Sequence, residues 1–253
     1  MNLNGVGVLT GFTLKEFFHR KILHVLFLLF LLFCSTIPLW KHFAPETEME
    51  FLADMGVGLA GIFLLLMTLI IAGDLVPRDL ESRRLLFFSL HPIDKGEYLL
   101  GRALGTFVFL FISFTLFISM LKIFFIFQKW QISVTPVFFL LFKYLILAAL
   151  LFCLSPHVER FTSIFLGLCF YFLSNSIATL TFLAGESGKP FFALWVKAIS
   201  FLLPHLEIFD AAGGFSSSKF SFLIYGTKTL AYALWFISVY LFLACLGLRK
   251  RTL

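Results

Sequence analysis

From residue 22 to residue 40 the chain reads ILHVLFLLFLLFCSTIPLW, without one Asp, Glu, Lys or Arg. A run of this kind constrains the fold more than any other feature. Roughly 20 apolar residues in an α-helix cross about 30 Å of hydrocarbon. In lipid the backbone must satisfy its own hydrogen bonds, and a helix does so within one segment. Comparable runs occupy 53–72, 103–125, 134–154, 162–184 and 222–246. Together they predict an all-α polytopic membrane protein with six transmembrane helices, filling 1–253 as a single transmembrane domain. Composition agrees, with 60% apolar and 13% charged residues and a mean hydropathy of +0.99, where soluble domains lie nearer half and a quarter. Little chain is left over for a soluble domain.

The flanking charges predict an orientation. With a cytoplasmic N-terminus, that side holds Lys15, Arg20, Lys21, Arg78, Arg83, Arg84, Lys95, Arg102, Arg160, Arg249, Lys250 and Arg251. The opposite side holds Lys41, Lys122, Lys129, Lys189, Lys197 and Lys219. The excess of basic residues places both termini in the cytoplasm, at a cell (inner) membrane. The same distribution accounts for the net charge of +6, so no nucleic-acid partner is expected. Phe33 stands before Cys34 where a lipoprotein site needs a small residue, so the first run is expected to remain as a span. Cys34, Cys153, Cys169 and Cys245 all lie in apolar runs, without metal or redox spacing, and read as core hydrophobes.

Ahead of the first span, TLKEFFHRKILH carries Thr13 and Glu16 at capping-box spacing. Phe17, Phe18 and Ile22 are expected to lie on the membrane while Lys15, Arg20 and Lys21 meet headgroups, making an N-terminal interfacial helix against membrane lipid. A plain extension of the first span is the alternative. Two connections are long, 73–102 and 185–221. The second is expected on the outer side as an amphipathic or re-entrant stretch halted by Pro204.

The first long connection interrupts the apolar chain with ESRRLLFFSLHPIDKGEYLLGR, residues 81–102. Pro77 is expected in a first helical turn, with Asp79 and Glu81 at the positive end of the dipole. Leu80, Arg83, Arg84, Phe87 and Phe88 then follow at helical spacing, up to Pro92. Two readings remain open: a membrane-surface loop anchored by arginines, or a docking helix whose Leu85, Leu86, Phe87 and Phe88 engage a soluble partner.

The string Glu81, Leu85-Leu86, Pro92-Ile93-Asp94-Lys95 and Tyr98-Leu99-Leu100-Gly101-Arg102 resembles a hallmark of type-2 ABC exporter permeases. Within that family the chain is similar to small six-span permeases of the nitrous-oxide-reductase maturation type. Ser82-Arg83-Arg84 departs from the pattern, where relatives often have Gly-Gly/Thr-type residues. The resemblance implies a cytoplasmic ABC ATPase subunit as partner, and a second permease copy or a sister permease. ATP and Mg would be held by that ATPase, with no cofactor in this chain and no catalysis of its own. The coupling contacts would come from Glu81, Arg83, Arg84, Leu85, Leu86, Phe87, Phe88 and Pro92, and from His157, Glu159 and Arg160 in the turn SPHVERF.

Other motifs carry less. GESGKP lacks the Ser/Thr of a phosphate-binding loop, and GVGLAG at 56–61 lies within an apolar run, where glycines pack helices. The six histidines are dispersed, and no metal site is expected. Lys143 sits mid-span, at a cost of roughly 2.5–3.5 kcal/mol if bare. It is expected to face the bundle interior, face a wet pathway, or snorkel outward. In the fifth span Ser174, Ala178 and Thr181, beside Asn175, form one stripe at helical spacing. That stripe either packs against a neighbour or borders a translocation path. Two rival functions stand beside an exporter: a mechanotransmission subunit that works an outer partner without transport, and a membrane-embedded lipid-modifying enzyme.

Overall fold

The computed structural model describes residues 3–40, 49–82, 94–126, 134–186, 190–210 and 219–250, and among these the secondary structure is helical with no strand. Ten helices follow in order among the described residues: α1 Leu3–Phe18, α2 Lys21–Trp40, α3 Met49–Glu81, α4 Lys95–Ile126, α5 Val134–Leu154, α6 Arg160–Asn175, α7 Ile177–Glu186, α8 Pro190–Leu202, α9 Glu207–Asp210 and α10 Lys219–Lys250.

Three stretches are long and apolar enough to cross a membrane: Met55–Glu81, Lys95–Ile123 and Gly226–Leu248. The number rises to five if each of two bent pairs is a single span, α1 with α2 at 60° and α6 with α7 at 54°. The expected fourth span coincides with α5, whose apolar stretch Phe138–Leu154 belongs with the shorter helices. Several apolar helices, with Phe161, Phe201 and Trp235 presented outward at 83%, 90% and 69% exposure, are what embedding in a membrane requires.

The centre is built by α3, α4 and α5. Phe30 of α2 meets Phe63 of α3 at 5.4 Å and Phe117 of α4 at 4.3 Å between ring centroids. This aromatic contact holds α2 to the bundle. Glycines allow the closest helix approaches. A Cβ on Gly101 would lie 2.7 Å from Leu9 Cβ, and one on Gly105 would lie 2.6 Å from Thr13 Cβ. The Gly101/Gly105 spacing thus gives α4 a smooth face on which α1 lies. Thr10 seals the contact by donating to Val6 O at 2.8 Å and Gly101 O at 3.3 Å. Gly61, from the 56–61 run, faces Tyr144 in the same way, with Tyr144 Oη 2.9 Å from where its Cβ would stand.

Several expectations change. The N-terminal helix begins at Leu3, so Thr13 lies within α1 and donates to Leu9 O at 2.8 Å instead of capping a helix. Phe17 is fully buried against Phe109, at 5.3 Å between centroids, and not spread on a membrane surface. Pro77 lies inside α3 near its end, and Asp79 and Glu81 close that helix instead of opening one. The dipole argument therefore has the wrong sign there, and Asp79 needs a cation from elsewhere. The expected stripe of Ser174, Ala178 and Thr181 is broken. The chain bends at Ser176, leaving Ser174 buried but Ala178 and Thr181 exposed. Arg83, Arg84, Leu85, Leu86, Phe87, Phe88 and Pro92 lie outside the described residues.

Candidate functional site

Polar side chains gather at two depths. The larger group lies where α1 turns into α2, α3 ends, and α4 and α6 begin. Arg102 of α4 is fully buried. Its Nη2 donates to Asp79 Oδ2 at 2.5 Å, and its Nη1 donates to Glu16 Oε2 at 2.8 Å and to Thr13 Oγ1 at 3.3 Å. Its guanidinium carbon also lies 5.3 Å from the centroid of the Phe12 ring and 5.7 Å from that of Tyr98. Tyr98 Oη donates to the same Asp79 oxygen at 2.5 Å. Glu16 is shared: it pairs with Arg78 and, at 3.4 Å, with Arg20.

Arg20, in the turn between α1 and α2, donates through Nη1 to Asp74 Oδ2 at 2.8 Å. The second oxygen of Asp74 pairs with Arg160 Nε at the start of α6. Asp74 is only 2% exposed, and such a carboxylate remains charged in an apolar bundle only when cations surround it. Three acids, Glu16, Asp74 and Asp79, thus face four arginines, Arg20, Arg78, Arg102 and Arg160. The group joins four helices and the α1–α2 turn at one end of the bundle.

That end also carries described residues that flank the first candidate coupling segment, and the α5–α6 turn. Glu81 is exposed where α3 stops, and α4 resumes at Lys95 on the far side of the first segment. His157, Glu159 and Arg160 are exposed around the short α5–α6 turn. His157 lies over Gly247 of α10, its Nε2 2.6 Å from where a Cβ would stand. Of these residues, only Arg160 enters the ion network. Arg20, read from sequence as a headgroup contact, is instead bound by acids inside the protein, as are Arg78 and Arg102. A signal for this was present: Asp74, Asp79 and Glu16 each border an apolar run, where an acid needs a cation.

The second group surrounds Lys143, which faces the bundle interior and does not snorkel, its side chain only 3% exposed. Its ammonium donates to Asp210 Oδ2 at 2.5 Å and Asn175 Oδ1 at 2.7 Å, and lies 5.1 Å from the centroid of the Tyr171 ring. The structure therefore brings Lys143 and Asn175 together. Ser174 contributes its carbonyl to Leu206 N–H at 3.3 Å, and Thr181 only bonds its own helix at Ala178 O. Asp210, absent from the sequence-based set, belongs to the segment after Pro204. Among the described residues, no three His, Cys, Asp or Glu side chains gather to hold a metal ion.

No protein-family model matches the chain, and no curated protein matches it.

Proposed function

We propose that this chain is the permease subunit of an ATP-driven ABC-type exporter, with six spans, cytoplasmic termini and a coupling segment at 73–102. Two copies, or this chain and a sister permease, would form the pathway. A separate ATPase would bind ATP and Mg and press on the segments between α3 and α4 and between α5 and α6.

The observation that carries the reading is the ion network. Arg102 follows the first segment and is bound to Asp79, which precedes it. Arg160 follows the second segment and is bound to Asp74 on the same helix, α3. Force applied at either segment therefore meets one charged junction, not two separate loops. Buried ion pairs add little net stability, but separating one leaves a buried charge behind at a cost of several kcal/mol, so the elements they join resist moving apart. This is the property that a lever base requires.

The test is affinity purification of the tagged full chain from gently solubilised native membranes. A parallel sample carries Asp at Leu85, Leu86, Phe87 and Phe88. An ATPase with a phosphate-binding loop should co-purify with the first and be depleted from the second. Its absence from both would refute the proposal.

A further inference from the structure

The end of the bundle remote from the ion network carries an unusual arrangement of charge. Asn175 lies 15 positions along α6 from Arg160, about 22 Å by helical rise. Beside it the Lys143 ammonium is buried, yet its ion-pair partner Asp210 is 43% exposed. Among the described residues, Asp210 is the one acid paired with Lys143. The other two contacts, the Asn175 amide oxygen and the Tyr171 ring, are neutral and lie on α6.

Asp210 ends α9, whose Phe209 is buried in the bundle core and whose preceding residue, Leu206, donates its N–H to Ser174 O of α6. It also ends the unit formed by α7, α8 and α9, whose first helix departs from α6 by 54° at Ser176. The unit is tied internally: Ala178 N–H, at the start of α7, donates to Glu207 Oε1 of α9 at 2.6 Å. It rests on α10 through His205 N–H to Tyr232 Oη at 2.7 Å and Tyr240 Oη to Leu202 O at 3.3 Å. Its remaining face presents Phe191, Leu194, Trp195 and Phe201 outward. The half-exposed Asp210 carboxylate can leave by rotating its own side chain, while Asn175 and Tyr171 stay with Lys143. A buried ammonium cannot be left without an anion in such surroundings.

We infer that Lys143 is an exchangeable anion site, occupied by the Asp210 carboxylate in this conformation and open to a carboxylate or phosphate group of an entering molecule. Asp210 acts as the internal competitor, and Asn175 and Tyr171 orient the ammonium. The inference deepens the exporter reading by assigning the cargo an anionic group, but its geometry does not depend on an ATPase.

The test uses the purified full chain in dodecyl maltoside, following its thermal midpoint by tryptophan fluorescence. Wild type, Asp210→Ala and Lys143→Met/Asp210→Ala are titrated with sodium acetate or sodium phosphate, against sodium chloride at equal ionic strength. A second arm titrates phosphatidylglycerol against phosphatidylcholine. Asp210→Ala should melt lower than wild type and recover with the anion, half-recovery occurring at a concentration at least tenfold below any wild-type response. The double variant should not respond. Recovery with acetate or phosphate alone assigns the site to soluble anions, and recovery with phosphatidylglycerol extends it to lipid headgroups. No recovery beyond chloride and phosphatidylcholine overturns the inference, as does equal recovery in the double variant or an equal response in wild type. Where Asp210→Ala does not fold, Asp210→Asn keeps the side-chain shape and carries the same comparison. No ATPase is present, so failure here is distinct from failure of the purification experiment.

Discussion

Replacing Arg102 tests the ion network at its most buried point. Its contacts with Asp79 at 2.5 Å and Glu16 at 2.8 Å each correspond to about 6 kcal/mol of attraction at an effective dielectric of about 20, before desolvation is subtracted. Net stabilisation is much smaller, because three ions have left water, but the cost of removing one partner is not. Glu16 retains Arg78 and Arg20, so the loss falls mainly on Asp79, which keeps the Tyr98 hydroxyl. Arg102→Met should therefore cost about 4 kcal/mol, and Asp79→Asn about 3 kcal/mol, within the range for breaking a buried pair. The double variant should lose less than the two combined, by about 2 kcal/mol of coupling. Arg102→Lys separates charge from geometry. One ammonium cannot reproduce the two-armed contact, and a deficit of about 1.5–3 kcal/mol, one charged hydrogen bond, is expected. Unfolding in mixed micelles titrated with sodium dodecyl sulfate, followed by circular dichroism, measures each step. Additivity of the two single losses within about 0.5 kcal/mol would refute the reasoning.

Four further outcomes are expected. Gly105→Val should lose about 1–3 kcal/mol by forcing α1 off α4, because a Cβ there already meets Thr13 at 2.6 Å. Gly11→Ala, with nothing within 4 Å, should instead be neutral or gain up to about 1 kcal/mol in helix propensity in the same assay. Asp74→Asn leaves Arg20 and Arg160 without the carboxylate that joins them, and about 3 kcal/mol of stability should be lost. In a background with Cys34, Cys153, Cys169 and Cys245 changed to Ala, Ser82→Cys and Glu186→Cys should react with an impermeant maleimide from opposite membrane faces. Labelling of both from one face would contradict the expected topology.

Apolar length was the most legible feature of the sequence, because one helix repeats one physical requirement. It places α5 at its observed bounds and α2 and α10 within a few residues of theirs, whereas α4 begins at Lys95, well before its apolar run at 103. The bends were not legible. Nothing about SNSIA at 174–178 forbids a continuing helix, and the break at Ser176 accompanies contacts made far away, at Leu206 and Glu207. The network was half legible. Charged residues at the ends of apolar runs signal a need for partners. The choice between headgroup and internal acid depends on pairs such as Arg102 with Glu16, 86 positions apart. For Lys143, the sequence showed that an anion or wet surface was required, but not that Asp210, 67 positions on, would supply it.

Helix α6 links the two polar groups, because its first residue, Arg160, binds Asp74 and its last, Asn175, binds Lys143. Sixteen residues in one helix span about 24 Å, and over that length a helix with an intact hydrogen-bond ladder behaves as a rod. Its seat is narrow. Ile164 of α6 lies over Gly73, 2.8 Å from where a Cβ would stand, and Gly167 lies against Leu151 and Leu69. A displacement of Arg160 by force on the α5–α6 turn should therefore tilt or shift Asn175 too, and with it the lateral support of the Lys143 ammonium. Gly167→Val tests this directly by lifting the middle of the rod, since a Cβ there already stands 3.1 Å from Leu69. Hydrogen exchange read by mass spectrometry should rise together in peptides containing Asp74 and in peptides containing Lys143. Faster exchange confined to the surroundings of Gly167 would show that the two ends are mechanically separate.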